Sequence, residues 1–244
     1  MKNAFVFGIN GKMGAALTAC AAEHGYCVTG GFDVESGALP TFDDVRKINV
    51  PFDVILDFSR PATLTPLITL ADSVRVPVVI ATTGYNASEL KSIELLARRV
   101  PVLLSGNLSL GIAAVKAAAQ AAKAVLGDAF DIEIVEKHHN QKADSPSGTA
   151  IMLADALAPS EAQTIGREGK RNKGELGITS VRGGGVIGEH EIGFYGENEI
   201  VTISHSARSR SLFAAGAFKA ADFLFSRQPA LYTMDDVVSA LLGK

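Results

Sequence analysis

Cysteine is scarce in this chain. Only two of 244 residues are Cys, at positions 20 and 27. They share no metal-ligand spacing, exclude a disulfide framework and fit a reducing compartment, where both read as buried thiols. No charge sign dominates. Lys and Arg number 23 against 26 Asp and Glu, a net charge of -3. Without a basic cluster the chain is not built around nucleic acid. No apolar run reads as long enough to span a membrane, and the one near the start, Ala4 to Phe7, is too short for a signal peptide. A cytoplasmic protein with no membrane partner is therefore expected. No repeat or low-complexity tract stands out. What remains is 47% hydrophobic and 20% charged, an ordinary globular composition with enough chain for one large domain or two small ones.

The strongest local signal at the start is glycine. A short apolar strand, Ala4 to Phe7, runs into Gly8-Ile9-Asn10-Gly11-Lys12-Met13-Gly14, and an Ala-rich helix follows to about His24. Glycines at this spacing permit a tight strand-to-helix turn and close backbone approach to a pyrophosphate, which sits on the helix N-terminus. A second strand ends at Asp33, about 20 residues beyond the glycines, where an acid bonds a ribose hydroxyl. Val34 follows Asp33, with no arginine to receive a 2'-phosphate, which favours NADH. Lys12 could supply the positive charge, so NADPH stays open.

Further strands are predicted at 54–59, 77–81 and 102–104, with helices at 61–73 and 88–99 between them. Pro61 suits a first helical turn, and Pro66 is a candidate kink. Alternating strands and helices imply a parallel, doubly wound sheet that binds ligands at the carboxyl ends of its strands. Phe58-Ser59, the run Ala81, Thr82 and Thr83, and the run Ser105, Gly106, Asn107 and Leu108 fall at those ends, as candidate contacts for the nicotinamide side of the cofactor. Turn chemistry and helix capping would use the same residue types.

After an Ala-rich helix from Ile112 to about Leu126 the pattern changes. Strands dominate, at 131–136, around 164–166, at 177–181, 187–195 and 200–206, the last two joined as a hairpin. This predicts an α+β region with a mostly antiparallel or mixed sheet. The segment 161–174, charged and holding three glycines, reads as a mobile loop. Helices near 212–225 and 234–242 close the chain. The expected division is residues 1–108 as a Rossmann-type α/β dinucleotide domain, completed by helices from about 216, and 109–215 as a domain for substrate and oligomerisation.

Between the strand at 131 and a helix starting near 148 lies the densest polar stretch: Glu136-Lys-His-His-Asn-Gln-Lys-Ala-Asp-Ser-Pro-Ser-Gly-Thr-Ala150. Free N–H groups at Gly148 and Thr149, together with the helix dipole, make an anion site, with Lys142 upstream. His138 and His139 point to opposite faces if the strand persists. One imidazole can supply a proton near neutral pH, and the other can contact an anionic end. Asp144 reads as a cap for the following helix. No cysteine and no His-x-x-x-His pair completes a metal set, so no metal is expected. Ser147 has no base placed by sequence, which argues against a serine hydrolase. The residues describe a nicotinamide-dependent oxidoreductase with an acid and an anion clamp, and do not name its substrate.

This stretch closely resembles the signature of the 4-hydroxy-tetrahydrodipicolinate (dihydrodipicolinate) reductases, Glu-x-His-His-x-x-Lys-x-Asp-Ala-Pro-Ser-Gly-Thr-Ala, with Ser145 for one alanine. The resemblance extends over nearly the whole chain. It takes in Gly8 to Gly14, Ala81-Thr-Thr-Gly84, Ser105 to Gly111, Arg182-Gly-Gly-Gly-Val-Ile-Gly-Glu-His190 and Ser204-His-Ser-Ala-Arg-Ser-Arg210. It implies NADH- or NADPH-dependent reduction of a cyclic imine dicarboxylate in the diaminopimelate route to lysine. Hydride would go to C4 after loss of the 4-hydroxyl, and a proton to C3. It implies His138 as general acid–base, Lys142 as its proton-donating partner, and His139, Gly148 and Thr149 as substrate contacts. A homotetramer formed through the second domain, and hinge closure between domains, come with the same resemblance. An aspartate or homoserine dehydrogenase would lack the His-His-x-x-x-Lys loop, and a nucleotide-sensing regulator would need a DNA-binding region.

Overall fold

The computed structural model describes residues 1–243 and separates into two compact units, Met1–Leu110 together with the chain from Arg210 onward, and Gly111–Ser209. In chain order the elements are β1 (Lys2–Phe7), α1 (Lys12–Cys20), β2 (Tyr26–Phe32), β3 (Thr41–Phe42), β4 (Val54–Asp57), α2 (Leu64–Val74), β5 (Val78–Ile80), α3 (Ala87–Ala97), β6 (Val102–Leu104) and α4 (Leu110–Leu126). Then come β7 (Asp131–His138), α5 (Gly148–Asp155), β8 (Gln163–Ile165), β9 (Leu176–Arg182), β10 (Glu189–Tyr195), β11 (Ile200–Ser206), α6 (Ser211–Leu224), β12 (Leu231–Tyr232) and α7 (Met234–Leu241).

The first unit is a seven-stranded sheet, order β12-β6-β5-β4-β1-β2-β3, with every pairing parallel. Its central strands read as unbroken apolar runs because helices cover both faces. Ala4 to Phe7 and Val54 to Leu56 have no measurable exposure. Phe5, Phe7, Ile55, Leu67, Ile80 and Leu96 belong to one core. The capping box of Asn86 and Glu89 starts α3. Pro66 lies in the first turn of α2, where its missing N–H has no partner to lose, and the helix continues to Val74. The two-residue edge strands β3 and β12 escape sequence reading because neither is long enough to show a period. Cys20 is buried but Cys27 is exposed, correcting the pair of buried thiols. It sits at an outward position of β2.

The second unit is a five-stranded sheet, order β11-β10-β7-β9-β8. Two of its pairings are antiparallel and two parallel, so the sheet is mixed rather than mostly antiparallel. The crossover from β7 through α5 gives the chain the length to return parallel. Strand β7 alternates outward and buried positions, and Ile132 and Ile134 pack with Ile178, Ile192, Leu153 and Val115. The segment read as a mobile loop includes the strand expected around 164–166, β8, and after it Arg167 and Arg171 both pair with Glu133. One apolar run is longer than the sequence reading allowed. Leu110–Ala129 is 20 residues long and contains an 18-residue window of mean hydropathy 1.3, apolar enough to cross a membrane by length and composition alone, with 22% of that window buried. Alanine supplies that hydropathy without the bulk that marks a core helix.

Candidate active site

In the first unit the glycine turn is dictated by space. Gly8 has φ +80°, and a Cβ there would stand 2.7 Å from the Phe58 carbonyl oxygen. A Cβ on Gly14 would stand 2.1 Å from the Ile9 carbonyl oxygen. Both positions need glycine for α1 to start directly over β1. Gly11 is the N-cap, no side chain caps α1, and no acid lies in its first turn, so the helix start stays open to an anion. Asp33 accepts the Asn10 backbone N–H at 3.0 Å and that of Val34 at 2.8 Å, which fixes its carboxylate beside the turn.

A pocket of about 310 Å³ lies here, lined by Gly8, Asn10, Gly11, Asp33, Ser59 and Arg60 among others. Lys12 is exposed, Met13 half-buried and Ile9 buried, and none of the three lines this pocket. Arg60 also lines this pocket. It follows β4, and β4 and β2 both pair with β1, so Arg60 and Asp33 share the pocket although 27 residues apart.

The next strand ends are joined by hydrogen bonds. Thr82 accepts the Ser59 N–H at 3.0 Å, and the Tyr85 hydroxyl donates to Asp57 at 3.1 Å. Asp57 is fully buried at the end of β4 and also receives the Ser59 hydroxyl. Burial raises its carboxyl above the usual range, and these donors offset part of the rise. Ala81 is half-buried, Thr83 exposed and close to Gly106, and the Ser105 hydroxyl donates to the Asn107 carbonyl at 2.8 Å. Leu108 is buried, so its side chain offers nothing to a ligand.

The second unit gathers a polar cluster on β7, β9 and β10. Glu136 and His138 are two apart and share the buried face of β7. Arg182 lies opposite His138 on β9, and His190 opposite Glu136 on β10. The Glu136 carboxylate takes the Arg182 guanidinium on both oxygens, at 2.7 and 2.9 Å, and the Ser147 N–H at 3.1 Å. His138 Nδ1 is 2.5 Å from Glu136 Oε2. Burial opposes the charged form of Glu136, yet Arg182 and the other donors outweigh it and hold the carboxyl at about 2. Burial pulls His138 below the usual histidine range, and Glu136 partly offsets this. His190 is pushed down to about 4, first by burial and then by His138, whose ring stands edge-on 5.2 Å away.

The helix start beside this cluster is capped by Ser147, whose hydroxyl accepts the Ala150 N–H at 3.1 Å and lies 3.1 Å from His190 Nε2. Ser147 is the N-cap residue, and the Asp144 carboxylate also accepts a backbone bond from Gly148, the first residue of α5. Asp144 pairs with Lys142 at 2.8 Å as well, and these partners outweigh burial to hold its carboxyl low. Gly148 is exposed at the first turn of α5, and Thr149 and His139 are half-buried. Strand β7 ends at His138, so His139 stands just outside it. Residue spacing did not assign Asp57, Arg60, Arg182 or His190 to a site. Only Asp57, a charge closing an apolar strand, carried a local signal.

Comparison with known proteins agrees over the full length. The family described as "Dihydrodipicolinate reductase, N-terminus" matches residues 2–108, and "Dihydrodipicolinate reductase, C-terminus" matches 111–238. The chain is 44% identical over 243 residues to the 4-hydroxy-tetrahydrodipicolinate reductase of Caldanaerobacter subterraneus subsp. tengcongensis, covering 96% of each. It is 40% identical over 250 residues to that of Clostridium novyi, covering 98% of this chain and 99% of the relative. A dipicolinate-bound dihydrodipicolinate reductase from Paenisporosarcina sp. TG-14 superposes with TM-score 0.79 at 25% identity, covering 97% and 99%. A parallel nucleotide-type sheet, a buried Glu-His-Arg cluster and matches to both halves lead to one conclusion: this chain is an oxidoreductase that belongs to the dihydrodipicolinate reductase family.

Proposed function

We propose that this protein uses NADH or NADPH to reduce 4-hydroxy-tetrahydrodipicolinate to tetrahydrodipicolinate, in the diaminopimelate route to lysine. The observation that carries the proposal is His138, held by Glu136 through Nδ1, beside the first turn of α5 that Ser147 caps. The relatives' names state the reaction, and one relative binds dipicolinate, a planar dicarboxylate.

The glycine turn, the uncapped start of α1 and the fixed Asp33 suit a dinucleotide. The turn would hold the pyrophosphate and Asp33 the adenine-side ribose. Ala81 to Thr83 and Ser105 to Leu108 would border the nicotinamide side. Arg60 would pair with a 2'-phosphate, so NADPH is accepted along with NADH. The substrate first loses its 4-hydroxyl as water, and the cofactor, when bound, would supply the hydride to C4 of the resulting conjugated imine. His138 gives its Nε2 proton to C3, with Lys142 as its partner. Gly148, Thr149 and His139 bind the carboxylates, and Lys142 exchanges Asp144 for a substrate carboxylate. Two substrate carboxylates near His138 raise its proton affinity and offset the effect of burial.

A cytoplasmic homotetramer formed through the second sheet belongs to the same reading. Val181, Tyr195 and Ile200 leave apolar side chains exposed on that sheet's strands. The test is oxidation of NADH, then of NADPH, with freshly generated substrate. Turnover with both is expected, and no turnover with either would sink the proposal.

A further inference from the structure

Glu136 has four donors around one carboxylate. Oε1 accepts from Arg182 Nη2 and the Ser147 N–H, and Oε2 from Arg182 Nη1 and His138 Nδ1. Its side chain is completely buried, and Arg182 also donates to the Asp144 carbonyl at 2.6 Å. An ionised carboxylate only accepts, so the hydrogen between Glu136 and His138 belongs to Nδ1. Neutral His138 therefore carries its proton on Nδ1. Among the described residues Nε2 has no hydrogen-bond partner. Gly188 packs beside it, and a Cβ there would stand 3.1 Å from Nε2.

Resting on the reading of His138 as proton donor, we propose that Glu136, locked by Arg182, is a positioning residue: it fixes the His138 tautomer and keeps Nε2 as the only nitrogen that gives up a proton. When the proton leaves Nε2 for substrate carbon, the imidazole left behind is the Nδ1–H form that Glu136 already binds. The same carboxylate holds the Ser147 N–H, so the acid and the start of α5 are set by one group. Holding the start of α5 and orienting the imidazole are then not independent functions.

The test follows from this donor arrangement. Glu136→Gln keeps the shape, but its amide N–H must face Arg182 and either Ser147 or His138, donor against donor. The groups facing His138 are Glu136 on its own strand, Lys142 in the next loop, Arg182 on β9 and His190 on β10. Of these Glu136 raises its proton affinity, so the variant lowers it. We expect kcat at neutral pH to fall roughly 10- to 1,000-fold with NADH affinity unchanged. The pH at which activity declines on the alkaline side moves down. Nitrogen NMR of the wild-type imidazole shows the proton on Nδ1, and that of the variant shows both tautomers. A variant with wild-type kcat and pH profile overturns the inference. So does a wild-type imidazole protonated on Nε2, a measurement that stands even if the variant does not fold. His138→Gln is the control. If it stays fully active, the proton-donor reading itself fails. If it is inactive while Glu136→Gln is unaffected, only the role of Glu136 falls.

Discussion

Two buried histidines stand 5.2 Å apart, and their surroundings assign them opposite tasks. His138 has a carboxylate on Nδ1 that favours its charged form. Among the described residues His190 bonds only the Ser147 hydroxyl, and its buried Nδ1 has no hydrogen-bond partner. Only His138 has a neighbouring carboxylate that favours a second proton, and His190 stays neutral. His138→Gln should therefore lower kcat roughly 100- to 10,000-fold while NADH binding, followed by fluorescence titration, is unchanged. Arg60 makes a second residue-level prediction. Arg60 lines the same pocket as Asp33, where a phosphate on the ribose would lie. Arg60→Ala should raise KM for NADPH well above any change for NADH. Equal effects on the two cofactors would remove Arg60 from phosphate recognition.

At the scale of elements, the two helix starts use different devices. Helix α1 has no side-chain cap and depends on glycine for its approach to β1. Gly14→Ala places a methyl 2.1 Å from the Ile9 carbonyl, so the backbone must move. The expected cost is about 3 kcal/mol or more, read as a lower denaturant midpoint or loss of soluble protein. Helix α5 has a side-chain cap, Ser147, with a second bond to His190. Ser147→Ala removes the cap and leaves His190 Nε2 unpaired. A loss of about 1–2 kcal/mol is expected, with a higher KM for the substrate, because the helix start that would bind carboxylate is less ordered.

At the scale of the whole molecule, the cluster makes stability depend on pH. His190 titrates near 4 in the folded chain against 6.5 unfolded, so between those values the unfolded chain binds more protons. Its contribution is complete above 6.5 and is lost as pH falls toward 4. The shift corresponds to about 3 kcal/mol at most. Glu136, near 2 folded against 4.5 unfolded, acts in the same sense, with its contribution lost as pH falls from 4.5 toward 2. Thermal unfolding followed by circular dichroism should show Tm steady at pH 7–8 and falling below about 6.5. A Tm that is flat down to pH 4 would contradict the burial of His190 as a neutral group.

The same molecule shows what its amino-acid sequence determined alone. The glycine turn, the apolar runs of β1 and β4, the alternation of β7 and the polar loop before α5 are local patterns. Each is set by backbone sterics or by a side-chain period within a few residues, so each is legible from neighbours in the chain. The joining of distant parts was decided by tertiary structure. Arg60 reaches the Asp33 pocket through strand order, Arg182 reaches Glu136 through the parallel register of β7 and β9, and His190 reaches Ser147 from β10. Asp144 meets the helix start at Gly148, as its place in the chain suggests, while Ser147 supplies the N-cap side chain. Sheet order and register arise from many weak contacts spread over the chain, and no short stretch encodes them. That is why the histidine-bearing loop and the glycine turn could be read from sequence, while the groups that hold them required the fold.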